Sequence, residues 1–381
     1  MRAQRGPLLL LCGVLGFASG CLGRLTTEDR ARFAERLSTR TKFERDPDPA
    51  HFSLPVPASD ARIATIGRIE QVTIPARSDG KALLFSWPGS ELRARFRGTA
   101  IAIEVASEGE VHFDVAIDDE LYLLSLRDAG LHRHALAARG PGPHLLRVMK
   151  RTEAAAGVAR IVSIAVAKAG ELLPAPSLPV RRLEFIGDSM TVGACTYDDG
   201  AENWQQRETH DHGASYAART ATALQAQHRA IAVSGMGVSR GTVPLRAQEI
   251  FDRCRPDPKS PPAARDDWHP DAVIVFLGHN DVIAGRGFPA RFFADYVRLV
   301  RSLRARYPHS LILCATGGMA RSRNSAQLAR AFDRALRELQ TADVGIFAHR
   351  FSAWSFLHPR AHTHAKLAAE LRPILSRLLG W

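Results

Sequence analysis

The sequence predicts an all-β jelly-roll sandwich followed by an α/β unit built on a doubly wound parallel sheet. Three observations lead there. Between about 61 and 170, apolar residues recur at every second position. Beyond a Pro-rich joint at Pro174, Pro176 and Pro179, apolar runs of strand length alternate with stretches of helix length. A chain of 381 residues is also long enough for two or three domains, each burying its own core.

Arg2 and Arg5 precede an apolar stretch from Leu8 to Ala18, too short to span a bilayer as a mature helix. Ala18-Ser19-Gly20-Cys21 follows. Small residues before a cysteine resemble a bacterial lipobox, with Ala18 where Leu is usual. Residues 1–21 are therefore read as a signal segment and Cys21 as the lipidated first residue of the mature chain, with simple secretion or a retained anchor as alternatives. The expected location is outside the cell or in its envelope, and membrane attachment is expected only through Cys21. Residues 22–60 are polar and then Pro-rich (Pro47, Pro49, Pro55, Pro57), read as a short helix and a linker.

The sandwich is read over 61–172. Leu92, Ala94 and Phe96 alternate, as do Ile101, Ile103 and Val105, then Val111, Phe113, Val115 and Ile117, then Val162, Ile164 and Val166. Turn signals at Asp79-Gly80, Pro88-Gly89, Asp118-Asp119 and Gly140-Pro141-Gly142 punctuate them, the pattern of many short antiparallel strands. The α/β unit is read over 180–381. Strands are expected at Leu183–Gly187, Ala230–Val233, Ala272–Leu277, Leu311–Cys314 and Val344–Phe347. Helices are expected near 213–227, 241–253, 289–306, 322–341 and 361–378.

Composition narrows the function classes. The formal net charge of +12 is carried mostly by Arg without a run of five basic residues, so it is read as a basic surface and not as a nucleic-acid site. Cys195, Cys254 and Cys314 cannot all pair with one another; a Cys195–Cys254 bridge would suit an exported protein, but nothing demands it. No CxxC or Cys/His cluster has zinc spacing, so no metal and no cofactor is expected.

In open parallel sheets, ligands gather at the carboxyl ends of the strands. The first expected strand ends in Gly187-Asp188-Ser189, which would present a hydroxyl and a backbone N–H at that edge. The second ends in Ser234-Gly235-Met236-Gly237, where glycine lets an N–H approach a substrate. The third ends in Gly278-His279-Asn280-Asp281, where the Asn amide is a further donor. Leu357-His358-Pro359 precedes the last helix, and His is the usual base for a Ser nucleophile. Singly, each is an ordinary turn, cap or loop. The order Ser, Gly, Asn, His at four element boundaries of one α/β unit is far more specific.

These residues resemble the SGNH (GDSL-like) hydrolases, named for the four. More closely, the chain resembles the acetyl esterases of carbohydrate esterase family 2, in which a β-sandwich precedes the SGNH domain. The segments that carry the likeness are Leu146–Ala154, Arg181–Thr191, Ser234–Val238 and His358-Pro359 followed by His364, within a resemblance that covers roughly 62–381. It implies that Ser189 is the nucleophile and His358 the base. It also implies an oxyanion hole from the N–H groups of Ser189 and Gly235 and the side chain of Asn280, with no metal.

Two departures stand out. His279 replaces a usual Thr and is read as structural or supporting. The acid usually found three residues before the base is replaced by Ser355, so a Ser–His dyad is expected, its imidazole oriented by the Ser355 hydroxyl or a main-chain oxygen. Asp266-Asp267-Trp268-His269-Pro270 mimics the missing block but lies before its strand, on the wrong edge. His210, His212 and Trp204 are candidates for the cleft wall, or for surface residues of that loop. His364 is expected to pack or cap. The reaction implied is acyl transfer: removal of O-acetyl groups from a polysaccharide or oligosaccharide by a monomeric enzyme. A lipase or thioesterase on the same fold is one alternative, disfavoured by the polar loop from Thr196 to His212; a carbohydrate-binding surface protein with a degenerate site is another.

Overall fold

Period-two alternation becomes two antiparallel sheets packed face to face. The computed structural model describes residues 23–74, 80–264, 268–283, 287–319 and 325–381; the proposed signal segment with Cys12 and Cys21, and also Asp79, Asp266 and Asp267, lie outside the described residues. In spatial order the first sheet is β1 (Glu44–Arg45), β10 (Gly130–Ala137), β7 (Ala100–Gly109), β12 (Gly157–Val166), β5 (Lys81–Phe85) and β4 (Ile69–Thr73), with β2 (Val56–Pro57) paired to β12. The second is β13 (Glu171–Leu172), β6 (Glu91–Arg97), β11 (Pro143–Lys150), β8 (Val111–Ile117) and β9 (Glu120–Leu126), with β3 (Ile63–Ile66) on β6. Leu92, Ala94 and Phe96 of β6, Leu146 and Val148 of β11 and Phe113 of β8 are wholly buried between the sheets, with Phe85, Ile103 and Val105 of the other sheet opposite them. Asp118 turns β8 into β9 at φ +55, a left-handed conformation that Asp tolerates better than most residues.

The second unit is a five-stranded parallel sheet in the order β15 (Ala226–Ala232), β14 (Arg181–Gly187), β16 (Ala272–Phe276), β17 (Leu311–Met319), β18 (Ile346–Ser355). Strand β16 is apolar throughout because both its faces are covered. Val273 and Val275 pack under α6 (Phe292–Arg306) and α7 (Ser325–Ala342), whereas Ile274 and Phe276 pack under α3 (Tyr216–Ala223) and α8 (Ala361–Leu379). The sheet is thus doubly wound, and the strand order reverses at β14, beside β16.

Some elements differ in extent from the sequence reading. The helix expected over 241–253 is a single turn, α4 (Ala247–Ile250), because the backbone N–H groups of Thr242 and Val243 donate to Gly235 O instead. Helix α3 begins only at Tyr216, where the Ser215 hydroxyl accepts from Ala218 N (3.2 Å), and it ends before Gln225 at φ +51. Strands β17 and β18 run beyond their apolar cores into half-exposed ends. Residues 23–60 do not trail as a free linker. Helix α1 (Thr27–Ser38) is closed by a reciprocal Thr26–Asp29 capping box, and Arg36 reaches Asp114 of β8 at 2.6 Å. Cys195, Cys254 and Cys314 are free thiols.

Candidate active site

The site is assembled at the carboxyl edge of the parallel sheet, where β14 reverses into the one-turn helix α2 (Ser189–Val192). A Cβ at Gly187 would collide with Thr191 Oγ1, so only glycine permits this turn. Asp188 caps it, its Oδ1 accepting from Met190 N at 3.1 Å. Ser189 is left at the first helical position, buried but for 5% of its surface. Among the described residues its N–H has no acceptor. The same holds for the N–H of Gly235, whose φ of +82 and close approach to Thr242 require glycine. Two unspent N–H groups therefore stand at the ends of neighbouring strands.

Asn280 and Asp281, in α5 (His279–Ile283), bind these loops together. Asn280 Nδ2 donates to Asp188 Oδ2 (3.2 Å) and to Met236 O (3.0 Å), while the Asp281 carboxylate accepts from the N–H groups of Val238, Ser239 and Arg240 at 2.7–3.0 Å. Burial pushes the Asp188 carboxyl up to about 7. His279 shares a 2.8 Å hydrogen bond with Gly317 O at the irregularity in β17; burial lowers it to about 4, so it is neutral and donates from Nε2.

His358 reaches Ser189 Oγ with Nε2 at 2.7 Å. Its Nδ1 lies 2.7 Å from Glu202 Oε1, the same oxygen that accepts from the His358 backbone N–H at 2.7 Å. The expected dyad is thus corrected: a carboxylate orients the imidazole, and it comes from the loop after the nucleophile. Ser355 Oγ instead donates to His358 O at 3.4 Å. Hydrogen bonding and charge from His358 outweigh the burial of Glu202 and bring its carboxyl down to about 2. Glu202 lies 156 positions from His358, so no spacing signal joins them. The only sequence cue was its presence in a polar loop.

The other expected residues sort clearly. Trp204 stacks edge-on against His358 (5.1 Å between ring centres) and against His210 (5.3 Å), on the wall of the site. His210 and His212 are buried; His212 Nδ1 faces Thr191 O at 3.0 Å and its Nε2 faces His228. His269 is exposed ahead of β16, at the opposite edge. His364 Nδ1 accepts from Tyr216 N at 3.1 Å, the capping role expected of it.

The sandwich contributes through the segment after β11, a stretch whose place the sequence did not disclose. Arg151 is fully buried and donates to Glu208 O, His210 O and Asp114, and pairs with Asp211 at 2.7 Å. It thereby holds the return of the loop that bears Glu202 and Trp204. Glu153 Oε2 accepts from Ser234 N at 2.7 Å, beside Gly235. Two groups of side chains among the described residues have ion-binding proximity. In one, Glu202 and His358 are spent on each other. In the other, Glu110 and Glu208 are bridged by Arg127 at 3.1 and 2.8 Å, so a guanidinium stands where a cation would.

Comparison with known proteins supplies the context. The family model described as "Carbohydrate esterase 2 N-terminal" matches residues 66–176, and that described as "GDSL-like Lipase/Acylhydrolase family" matches 185–370. "Cellulase/esterase CelE" of Acetivibrio thermocellus is 28% identical over 325 residues, 80% of this chain; the chain spans 39% of that relative's length. An "Acetylxylan esterase / glucomannan deacetylase" of Cellvibrio japonicus is 26% identical over 340 residues, 86% of this chain and 91% of the relative. Among solved structures, a family two carbohydrate esterase from Clostridium thermocellum in complex with cellohexaose superposes with a TM-score of 0.76 at 25% identity, covering 84% of this chain and 99% of that one. A family two carbohydrate esterase from Cellvibrio japonicus shares the fold with the same TM-score at 24% identity, covering 89% and 99%.

Proposed function

The chain joins a carbohydrate esterase 2 N-terminal domain to a GDSL-like lipase/acylhydrolase domain, which makes it a carboxylic ester hydrolase of the family 2 carbohydrate esterases, and from that premise we propose that it removes O-acetyl groups from a polysaccharide or oligosaccharide through a Ser189 acyl-enzyme. One observation carries the chemistry: His358 Nε2 at 2.7 Å from Ser189 Oγ with Nδ1 at 2.7 Å from Glu202. His358 takes the Ser189 proton as Oγ attacks the ester carbonyl, and the C–O π electrons move to the carbonyl oxygen. The N–H groups of Ser189 and Gly235 meet that oxyanion, aided by the Asn280 amide when its bond to Met236 O is released. His358 returns the proton to the departing sugar oxygen as the tetrahedral intermediate collapses. Water, deprotonated by the same imidazole, then attacks the acetyl carbonyl; the Oγ–acyl bond breaks, His358 returns its proton to Ser189 Oγ, and acetate leaves. Glu202 fixes the tautomer and stabilises the imidazolium formed in each half-reaction.

The polar character of the loop from Thr196 to His212 supports a sugar over a long acyl chain, as do the substrates named for the relatives above. Export, with Cys21 as the lipidated residue, and a monomeric state belong to the same proposal. The test is a screen of residues 22–381 on nitrophenyl esters of increasing acyl length, then on acetylated xylan and glucomannan. Acetyl esters should give the highest kcat/KM; a preference for octanoyl esters would favour a lipase.

A further inference from the structure

Arg360 follows the base by two residues, and no step above uses it. It is 1% exposed, yet among the described residues no carboxylate pairs with it. Among the described residues its guanidinium donates only to main-chain carbonyls: Nε to Gly23 O (2.9 Å), Nη1 to Cys195 O (2.9 Å) and His358 O (3.2 Å), Nη2 to Gly200 O (2.8 Å). A buried cation with no carboxylate in direct contact is costly to keep, so this set of bonds calls for an explanation. The acceptors supply one. One carbonyl is that of His358 itself. Two others, Cys195 and Gly200, lie on the loop that delivers Glu202, and Cys195 is held at φ +54, a conformation non-glycine residues seldom adopt. The fourth, Gly23 O, also accepts from Gly200 N at 3.2 Å, and the adjoining segment secures the loop again where Asp199 accepts from Leu25 N (3.2 Å) and Arg30 (2.7 Å).

We propose that Arg360 is a positioning residue, which locks the turn carrying His358 to the loop carrying Glu202 and so keeps base and acid in register. Apart from Arg360, the turn and the loop meet through Glu202 Oε1, through Ala361 N donating to Thr196 O (3.1 Å) and through the Trp204 ring against His358; of all these links, Arg360 alone also ties in the N-terminal segment at Gly23. The planar fork matters because it serves carbonyls on three segments at once, which a single ammonium on a flexible stem does less well. The guanidinium charge also favours the ionised form of Glu202, whose carboxyl lies at about 2. This inference rests on the esterase reading above, but half of its test does not.

The experiment compares Arg360→Met and Arg360→Lys with wild type in the full mature chain. Arg360→Met should lower kcat on nitrophenyl acetate about 30- to 100-fold with KM within about threefold, the scale of a misplaced reacting group. Arg360→Lys should fall between. In a Glu202→Gln background, Arg360→Met should cost under about threefold more, because residues acting as a unit are not additive. Independently of any substrate, the downfield proton NMR signal of His358 Nδ1–H should be present in wild type and be broadened or lost in Arg360→Met. A folded Arg360→Met with wild-type kcat and an unchanged proton signal would overturn the proposal, as would a full loss added to that of Glu202→Gln. Should Arg360→Met fail to fold, a folded Arg360→Lys with wild-type kcat and signal would overturn it equally. Absence of ester hydrolysis by wild type would refute the esterase reading, and the proton signal would still decide the role of Arg360.

Discussion

Replacing Glu202 removes the one contact that turns a serine–histidine pair into a triad. Glu202→Gln keeps an oxygen for Nδ1–H and for the His358 backbone N–H but loses the charge; Glu202→Ala loses both. The carboxyl falls from its ordinary 4.5 to about 2, which corresponds to on the order of 3 kcal/mol between its charged and neutral forms. The Glu202 and His358 side chains are 17% and 13% exposed, so water screens little of this. If most of that interaction is felt by the imidazolium in the transition state, its loss slows turnover about 10²-fold at 1.4 kcal/mol per decade. A flipped imidazole tautomer would carry the loss toward about 10⁴-fold. The assay is steady-state hydrolysis of nitrophenyl acetate across pH. Glu202→Gln should lower kcat about 10²-fold with KM little changed. Ser355→Asp should gain almost nothing, since Nδ1 is already engaged. Turnover within threefold of wild type in a folded Glu202→Ala would refute the triad, and a large gain from Ser355→Asp would show that the orienting position had been open.

Four further outcomes are expected. His358→Ala should lower kcat about 10³-fold or more, matched by Ser189→Ala and scarcely worsened in the double variant, whereas His269→Ala stays within a few-fold; near-normal turnover of folded His358→Ala would reverse the assignment. Trp354, on β18 four residues before the base, is 63% exposed, and Trp354→Ala should raise KM on acetylated xylan while leaving nitrophenyl acetate unaffected; equal effects on both would remove it from polymer binding. Buried His112, His134, His210, His212 and His279 are lowered to about 3, 4, 3, 4 and 4, so below the unfolded value of 6.5 the unfolded chain takes up protons that the fold rejects, whereas Asp188, raised to about 7, works in the opposite sense; stability present above pH 6.5 should be lost progressively as the pH falls toward 4, and a Tm unchanged between pH 7.5 and 5 would contradict this. Expressed in a bacterium, the protein should partition with membranes and Cys21→Ser should release it or block its processing; soluble wild-type protein cleaved elsewhere would indicate simple secretion.

The sequence disclosed what repeats or clusters along the chain. Alternation at Leu92, Ala94 and Phe96 marked a strand with one buried face, and an uninterrupted Ala272–Phe276 marked a strand buried on both, so the sandwich and the doubly wound sheet were both legible. Ser189, Gly235, Asn280 and His358 were legible because each follows or precedes a regular element at the same sheet edge. Glu202 was not, because it lies in a loop without periodicity and its partner is distant in the chain. The single turn at Ala247–Ile250 was not, because the competing acceptor, Gly235 O, is a contact of the folded state. For the same reason the Arg151 and Glu153 side chains could be noticed as part of a family-like segment but not placed against the second domain.

A loop-borne acid changes what the rest of the molecule must do. When acid and base share one short segment, the entry into the last helix positions both. Here Phe356 and Leu357 fill that segment and the carboxylate arrives on a loop, whose backbone costs about 1–2 kcal/mol per residue to order. The restraints on that loop come from outside the parallel-sheet unit as well as from within it. Arg151 of the sandwich holds Glu208, His210 and Asp211; Arg30 and Leu25 of the N-terminal segment hold Asp199; Asp198 accepts from Asn203 N at 2.7 Å, next to Glu202. The two units are further joined by buried polar contacts, Arg68 to Glu184 at 3.1 Å and Trp87 Nε1 to Cys254 O at 2.8 Å. Removing the sandwich would leave Glu184 and Asp211 without their guanidinium partners and the loop without its anchor. The jelly-roll is therefore part of the apparatus that sets the geometry of His358, and a sugar-binding role for it would be additional to that one.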